Sequence, residues 1–556
     1  MPHPIPRRCV RMLSRALRQA TRLVTFGVVT GLMACGGGGG GRRAPPPTPD
    51  VSAVAQAVRP STLPADWQQG VFMEIFVRAY QDSDGDGIGD LRGLTSRLDH
   101  LQQLGVTGLW LMPIHPSQDG DHGYAVTDYR AVAAEYGTLA DLDELLAQAH
   151  ARGIGVIIDY VMNHSAAQHP LFRNARDSTG NPWRDWYVWQ NTASGGWNIF
   201  GGNPWRGSST GTYFAPFWDQ MPDFNLKNAA AAEWHRDNLR FWLNRGVDGF
   251  RFDAVGNLVE NGPSAWEHQP ENHPLMAGVR SLLDGYGGRY LVCEAPSLPQ
   301  RYAAADSCGS AFAFGHQYDL VGAARGDSTA IARVADYWRS APDGMAGFAS
   351  NHDGFAGERL WDQLGGNIAQ LKLAAATYLL QSRRPFIYYG EEIGMAGATS
   401  LTGDPKLRTP MSWRADAGNA GFSTGRPFRA LSANVSSQNV AAQQADADSL
   451  LHHYRQLIAL RKTLPALASG RYANAVALGR TLQFRRLGAD PASEPGAWVG
   501  INYGDTPVAL DVPGLPINTA LQRHWPVGGA DVPADGTGLA VVTLPARSFA
   551  VFRIQP

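Results

Sequence analysis

The chain has 556 residues, of which 44% are apolar and 17% charged, a balance in which intrinsic disorder is not the default. Its formal charge of −1 hides an asymmetry: residues 1–34 hold six arginines and no acid, leaving 42 basic against 49 acidic residues beyond them, a charge of −7. A mildly acidic remainder argues against nucleic acid as a partner.

The amino-terminal segment reads as a targeting signal, with a basic region ending at Arg22, an apolar stretch Leu23–Ala34, and then Cys35. The apolar part is too short to span a membrane as a mature helix. Leu32-Met33-Ala34-Cys35 resembles the lipobox of bacterial lipoproteins, which implies acylation of Cys35, a lipid anchor in the membrane, and a cell-envelope location. Gly36 follows the cysteine where Asp would favour inner-membrane retention. Residues 35–64 read as a tether, a glycine run from Gly36 followed by Pro, Ala and Thr.

From Gly70 onward, β-branched apolar runs alternate with longer helical patterns, the βα signature of a parallel sheet. The runs Val71–Val77, Gly108–Met112, Gly155–Tyr160, Gly249–Phe252, Tyr290–Cys293, Ala311–Phe314, Gly347–Ala349 and Pro385–Tyr388 predict eight strands. Leu91–Leu104, Leu139–Arg152, Ala229–Asn244 and Ile368–Gln381 predict helices between them. Eight strands fit a closed (β/α)8 TIM barrel, assigned to 65–163 and 229–466. The stretch 164–228 has little helical period and many Trp, Gly, Pro and Asn, and predicts an inserted domain. Short alternating segments after a last helix near Ala447–Leu464 predict a carboxyl-terminal antiparallel β-sandwich over 467–556.

Three acids stand where predicted strands end: Asp253 after Gly-Phe-Arg-Phe, Glu294 after Leu-Val-Cys, and Asp353 after Phe-Ala-Ser-Asn-His. Active sites of parallel barrels lie at those ends. Breaking an acetal needs a proton donor for the leaving oxygen and a second carboxylate on the other face of the sugar, about 5 to 5.5 Å away when the configuration is retained. Arg251 lies two residues before Asp253, on the same strand face, and suits an ionised nucleophile. The apolar run before Glu294 suits a carboxyl that keeps its proton.

With these motifs in order (Asp159-Tyr-Val-Met-Asn163-His164, Gly249-Phe-Arg251-Phe-Asp253-Ala254, Glu294 and Asn351-His352-Asp353), the chain resembles the α-amylase family of glycoside hydrolases over roughly 66–556. The resemblance implies Asp253 as nucleophile, Glu294 as acid/base and Asp353 as the carboxylate that stabilises the transition state. It implies that His164, Arg251 and His352 hold the sugar before the cut, that Tyr124 stacks on its ring, and that Asp121 shares that pocket. Gly108-Leu-Trp-Leu-Met-Pro113, Pro385-Phe-Ile-Tyr-Tyr-Gly-Glu391 and Arg408-Thr-Pro-Met-Ser-Trp413 are further landmarks. Met221-Pro-Asp-Phe-Asn-Leu226 resembles members between oligo-glucosidases and neopullulanase-like enzymes, and Ala254 resembles enzymes that cut α-1,4 bonds.

Asp82, Asp84, Asp86, Ile88 and Asp90 have the spacing of a cation loop, with carboxylates at positions one, three, five and nine and a backbone carbonyl at seven. Position twelve is Gly93 where an EF-hand needs Glu, while oligo-glucosidase-like relatives carry a Ca²⁺ site in this loop. A second family Ca²⁺ site would use Asn163 and a histidine four residues past the nucleophile; Asn257 stands there, which puts that site in doubt. Cys293 and Cys308 are either a disulfide or two free buried thiols. Some tryptophans of the inserted stretch could be sugar platforms, although most Trp in a small domain are core. The leading expectation is a monomeric α-amylase that cuts internal α-1,4 bonds of starch or maltodextrin with retention. An exo-acting α-glucosidase, a neopullulanase-like enzyme or a glucosyl transferase would share the same acids, and a non-catalytic glycan-binding relative would lose some of them.

Overall fold

The computed structural model describes residues 47–488, 490 and 494–555. The signal, Cys35 and residues 35–46 of the tether lie outside the described residues. No helix among the described residues is long and apolar enough to cross a membrane.

Eight parallel strands form one sheet: β1 (Phe72–Ile75), β2 (Gly108–Leu111), β3 (Gly155–Tyr160), β4 (Gly249–Phe252), β5 (Tyr290–Cys293), β6 (Ala311–Phe312), β7 (Met345–Ala346) and β8 (Phe386–Tyr388). Neighbours follow chain order, β8 lies against β1, and a bridge from Phe348 to Phe386 closes the ring as a TIM barrel. The strands are buried on both faces, which is why they read as nearly unbroken apolar runs. Helices begin where their caps say they should: Thr138 and Asp141 form a capping box ahead of Leu139–Ala151. Asn228 caps Ala229–Arg245, which ends at Gly246 in the left-handed region.

The barrel interior is layered. Toward the amino ends of the strands it is aromatic, with Phe72 stacked on Phe386 at 4.7 Å, Phe312 against Phe386 at 4.9 Å and Trp110 against Phe312 at 5.2 Å. Toward the carboxyl ends it becomes ionic: Glu74, Asp159, Arg251 and His352 are all buried. Residues two apart share a strand face, so Phe72 and Glu74 both point inward, one into each layer.

Between β3 and β4 the inserted segment carries a three-stranded sheet (Trp189–Gln190, Gly211–Phe214, Trp205–Ser208). Trp189 is spent on packing, since Phe172 stacks on it at 5.6 Å and the Arg184 guanidinium lies 3.3 Å from its ring centroid. Beyond the barrel a six-stranded antiparallel sheet faces a two-stranded one around Trp498, Leu521, Val542 and Phe552.

Four expectations need correction. Strand β7 lies two residues before the predicted Gly347–Ala349, because the Gly347 N–H is taken by the Ser382 hydroxyl at 3.0 Å. The first predicted strand stops at Ile75, and Val77–Tyr80 is helical. The predicted helix Leu91–Leu104 breaks at Arg97 into Leu91–Ser96 and Leu98–Leu104.

The last correction concerns the tether. Residues 50–57 are bound to the barrel as a strap. The Val54 and Ala57 N–H groups donate to Asp237 and Asn244, each at 2.9 Å. The Trp234 indole and Asn244 amide donate to the Asp50 and Ala55 carbonyls, also at 2.9 Å. Residues 234, 237 and 244 form one stripe along a single helix, which matches the extended strap.

Candidate active site

The carboxyl ends of β4, β5 and β7 bring Asp253, Glu294 and Asp353 to one face of the barrel, with Arg251 beneath them. The Arg251 Nη1 donates to Asp253 Oδ1 at 2.7 Å, and Nη2 pairs with Glu294 Oε2 at 2.8 Å. A single guanidinium reaching both acids is the juxtaposition that the short spacing of a retaining pair demands. Nη1 also donates to both oxygens of Asp159, each at 2.9 Å, so the arginine is itself held. Ala254 adopts φ +46°, a conformation costly for a residue with a Cβ, and its N–H donates to Glu294 Oε2 at 3.0 Å. The strain sits between the two acids and turns the backbone from one toward the other.

Burial pushes the Glu294 carboxyl up to about 7, with the Asp253 and Asp353 charges adding to the rise against Arg251. Burial also raises Asp253, to about 6, because Arg251 only partly offsets it and Asp159 and Asp353 repel its charge. The order keeps the proton on Glu294 and the charge on Asp253 between those values. That is the division of labour a displacement at an acetal carbon needs.

His352 links the third acid to the barrel wall. Its Nδ1 lies 2.6 Å from Glu74 Oε1, and its Nε2 lies 2.8 Å from the Tyr124 hydroxyl and 3.2 Å from Asp353 Oδ2. Burial opposes a charged imidazole, but Asp353 and Glu74 outweigh it and raise His352 to about 10. In turn His352, Arg408 and Arg251 overcome the burial of Asp353 and hold it well below the usual carboxylate range. The Arg408 Nη2 reaches Asp353 Oδ1 at 2.9 Å.

Tyr124 donates to Asp159 at 3.0 Å, and its ring is nearly parallel to that of His352, 13° apart. His164 is buried on the side of the inserted domain, 5.4 Å from the Phe217 ring, and burial lowers it to about 3, so it stays neutral. Its Nε2 has no partner within the described chain. Asp121 lies at the edge of the site, 2.6 Å from Arg429 Nη2. Contiguous contacts thus join seven of the eight residues singled out for the sugar site, His164 standing apart against Phe217, and they add Glu74, Asp159, Arg408 and Arg429.

The loop after β1 gathers one carboxylate oxygen each from Asp82, Asp84 and Asp86 within 4.8 Å of one another. Like charges this close repel without a counter-charge, so the donor set fits a hard divalent cation. Asp90 has other work: it accepts from the Ser83 and Gly93 N–H groups, each at 2.7 Å, and caps Leu91–Ser96. At the other position Asn163, Asp223 and Glu260 lie together, and burial raises both carboxyls, Glu260 to about 7. Cys293, directly before Glu294, forms a disulfide with Cys308, which settles the cysteine alternatives.

Residues 74–470 match the model of the alpha amylase catalytic domain. The chain belongs to the alpha-amylase family. The trehalose synthase/amylase TreS of Mycolicibacterium smegmatis is 33% identical over 569 residues, spanning 89% of this chain and 94% of that protein. The alpha-glucosidase of Pediococcus pentosaceus is 32% identical, spanning 73% of this chain and 86% of that protein. The crystal structure of the alpha-amylase from H. orenii superposes with a TM-score of 0.73 at 32% identity, spanning 88% of this chain and 100% of that one. As an alpha-amylase family member, the chain is an enzyme acting on glycosidic bonds.

Of the added residues, Glu74 carried a signal, being an acid inside a four-residue apolar strand. Asp159 and Arg408 lay within family motifs of the sequence. Arg429 had none.

Proposed function

We propose that the enzyme removes a terminal α-1,4-linked glucosyl unit from maltodextrins, with retention, and hands it to water or to a second sugar. The observation that carries this reading is the Asp121–Arg429 ion pair, tied to the Arg408 carbonyl by Arg429 Nη1 at 3.2 Å. It stands on the Tyr124 side of the trio, where the resemblance puts the sugar before the cut, and a longer chain there would have to pass it. Ala254 supports the α-1,4 linkage.

In the first step Asp253 Oδ attacks the anomeric carbon, and the bond to the leaving oxygen breaks as Glu294 gives that oxygen its proton. In the second step Glu294 takes a proton from the incoming hydroxyl as that oxygen displaces Asp253. Asp353 and the His352 imidazolium bind the sugar hydroxyls, and Arg251 keeps both reacting carboxylates in place. Asp82, Asp84, Asp86 and the Ile88 carbonyl would hold a Ca²⁺ ion, which supplies charge neutralisation for its loop and takes no part in bond breaking.

A p-nitrophenyl maltoheptaoside blocked at its non-reducing end is the deciding substrate. With a coupling glucosidase present, the blocked form yields nitrophenol only after internal cleavage, so a terminal-acting enzyme leaves it intact while it shortens unblocked maltoheptaose one glucosyl unit at a time; release from the blocked form sinks the proposal. Internal cleavage, the second reading, is supported by the 32% identity to the alpha-amylase from H. orenii. A cell-envelope address through acylated Cys35 is also proposed, supported by the Cys293–Cys308 bond, since disulfides persist in oxidising compartments. Radiolabelled palmitate should enter the parent protein and not the Cys35→Ser variant.

A further inference from the structure

The cation loop and the sugar site are separate in sequence but joined by a second loop, residues 419–429. The Asp82 N–H and the Gln81 side-chain amide both donate to the Phe422 carbonyl, at 2.9 and 2.6 Å. The Ser423 hydroxyl donates to Asp82 Oδ2 at 2.6 Å, and the Phe428 N–H donates to the Gly87 carbonyl at 2.9 Å. The two backbones run so close that a methyl group at Gly87 would strike the Arg426 carbonyl and one at Gly425 would strike the Gly85 carbonyl. Glycine is required there because only it lets the chains touch.

Arg429 is the next residue after this clasp. Its side chain is 12% exposed and spends Nη2 on Asp121 and Nη1 on the Arg408 carbonyl. Arg408 in turn holds Asp353 and the His352 carbonyl, the latter at 3.0 Å. Asp82 is the shared piece. One of its oxygens accepts from Ser423, while both belong to the carboxylate that faces Asp84 and Asp86. Its Oδ2 also accepts from the Gly87 N–H at 2.8 Å, and its Oδ1 accepts from the Asp84 and Gly85 N–H groups, so an ion held by the three carboxylates would bear on a side chain already tied to Ser423.

We propose that Arg429 is a positioning residue for the sugar before the cut, and that the Asp82–Ser423 clasp sets its place, so ion occupancy in loop 82–90 is felt at Asp121. This rests on the Ca²⁺ reading given above. The cation acts at a distance from the reacting bond through a contiguous set of hydrogen bonds, and the two sites are coupled in both directions.

The test uses the whole enzyme with Ca²⁺ as the probe. Calorimetry reports Ca²⁺ binding, and hydrogen exchange reports the amides of 420–428 with and without it. Loading should slow those amides about fivefold or more, and the iminosugar 1-deoxynojirimycin should tighten Ca²⁺ by the same factor that Ca²⁺ tightens it. In kinetics, Arg429→Ala should raise KM more than it lowers kcat, with Arg429→Lys restoring part of the loss. Ser423→Ala, a mild change that melting scans can clear of misfolding, should raise KM in the parent and add nothing in the Arg429→Ala background. Failure to bind Ca²⁺ overturns the cation reading and this coupling with it. Binding with unchanged exchange at 420–428 overturns the coupling alone. Additive effects of Ser423→Ala and Arg429→Ala overturn the clasp as its route.

Discussion

Replacing Arg251 by lysine keeps the charge and removes the shape. The guanidinium is 1% exposed and spreads over Asp253 at 2.7 Å, Glu294 at 2.8 Å and both Asp159 oxygens at 2.9 Å. An ammonium on a different stem cannot reach three carboxylates in one plane, so at least two charge-assisted hydrogen bonds are lost. At about 1.5 to 3 kcal/mol each, that is about 3 to 6 kcal/mol, or about 10² to 10⁴ in kcat/KM if the bonds persist in the transition state. The sign on pH follows. Lysine keeps the charge, but losing the guanidinium's hydrogen bonds still disfavours the ionised carboxylates, so both Asp253 and Glu294 move upward, about one unit for each 1.4 kcal/mol lost. Asp253 is then largely protonated at neutral pH and the surviving activity shifts to alkaline pH. Hydrolysis of p-nitrophenyl α-glucoside across the pH range measures both effects, with melting and near-UV circular dichroism as controls for folding. A folded Arg251→Lys enzyme within tenfold of the parent, with its pH limbs unmoved, would refute the role given to this arginine.

The parent enzyme should show a bell-shaped pH dependence of kcat/KM, rising as Asp253 ionises near 6 and falling as Glu294 loses its proton near 7; an optimum well outside that interval contradicts the assignment. Cys308→Ser should cost about 3 kcal/mol, the entropy of a closed loop near the 15-residue separation here, read as a shifted denaturant midpoint. Because Cys293 precedes Glu294, kcat should fall with it. Deleting residues 47–57 removes the strap's hydrogen bonds and should lower stability by about 1 to 3 kcal/mol while kcat and KM stay at parent values. A truncated enzyme with an unchanged melting temperature would mean that the strap contributes nothing.

What was legible in the sequence divides along a physical line. A parallel strand buried on both faces is a local apolar run, and an acid at its end is a local break in that run, so Asp253, Glu294 and Asp353 could be found without knowing what lies beside them. Glu74 obeys the same logic: two residues after Phe72, it shares the inward face of β1, and a charge in a closed barrel must be paired. Its partner, His352, is 278 residues away, but the need for one is visible in four residues. Arg429 differs in kind. It follows a Gly, Ser and Pro stretch with no period, pairs with Asp121 across 308 residues, and is placed by two loops packed glycine against glycine. Neither loop has a pattern that names the other. The same reason hid the strap, whose run of Ala and Val among polar residues looks free until the stripe of Trp234, Asp237 and Asn244 that receives it is assembled on one helix. Bond-breaking chemistry in this fold is therefore written in short segments that a reader can find one at a time. The placement of Arg429 against Asp121 is written in loop-to-loop contacts. Two chains with the same strand-end acids can therefore differ in such contacts without any difference in the short segments that carry the acids.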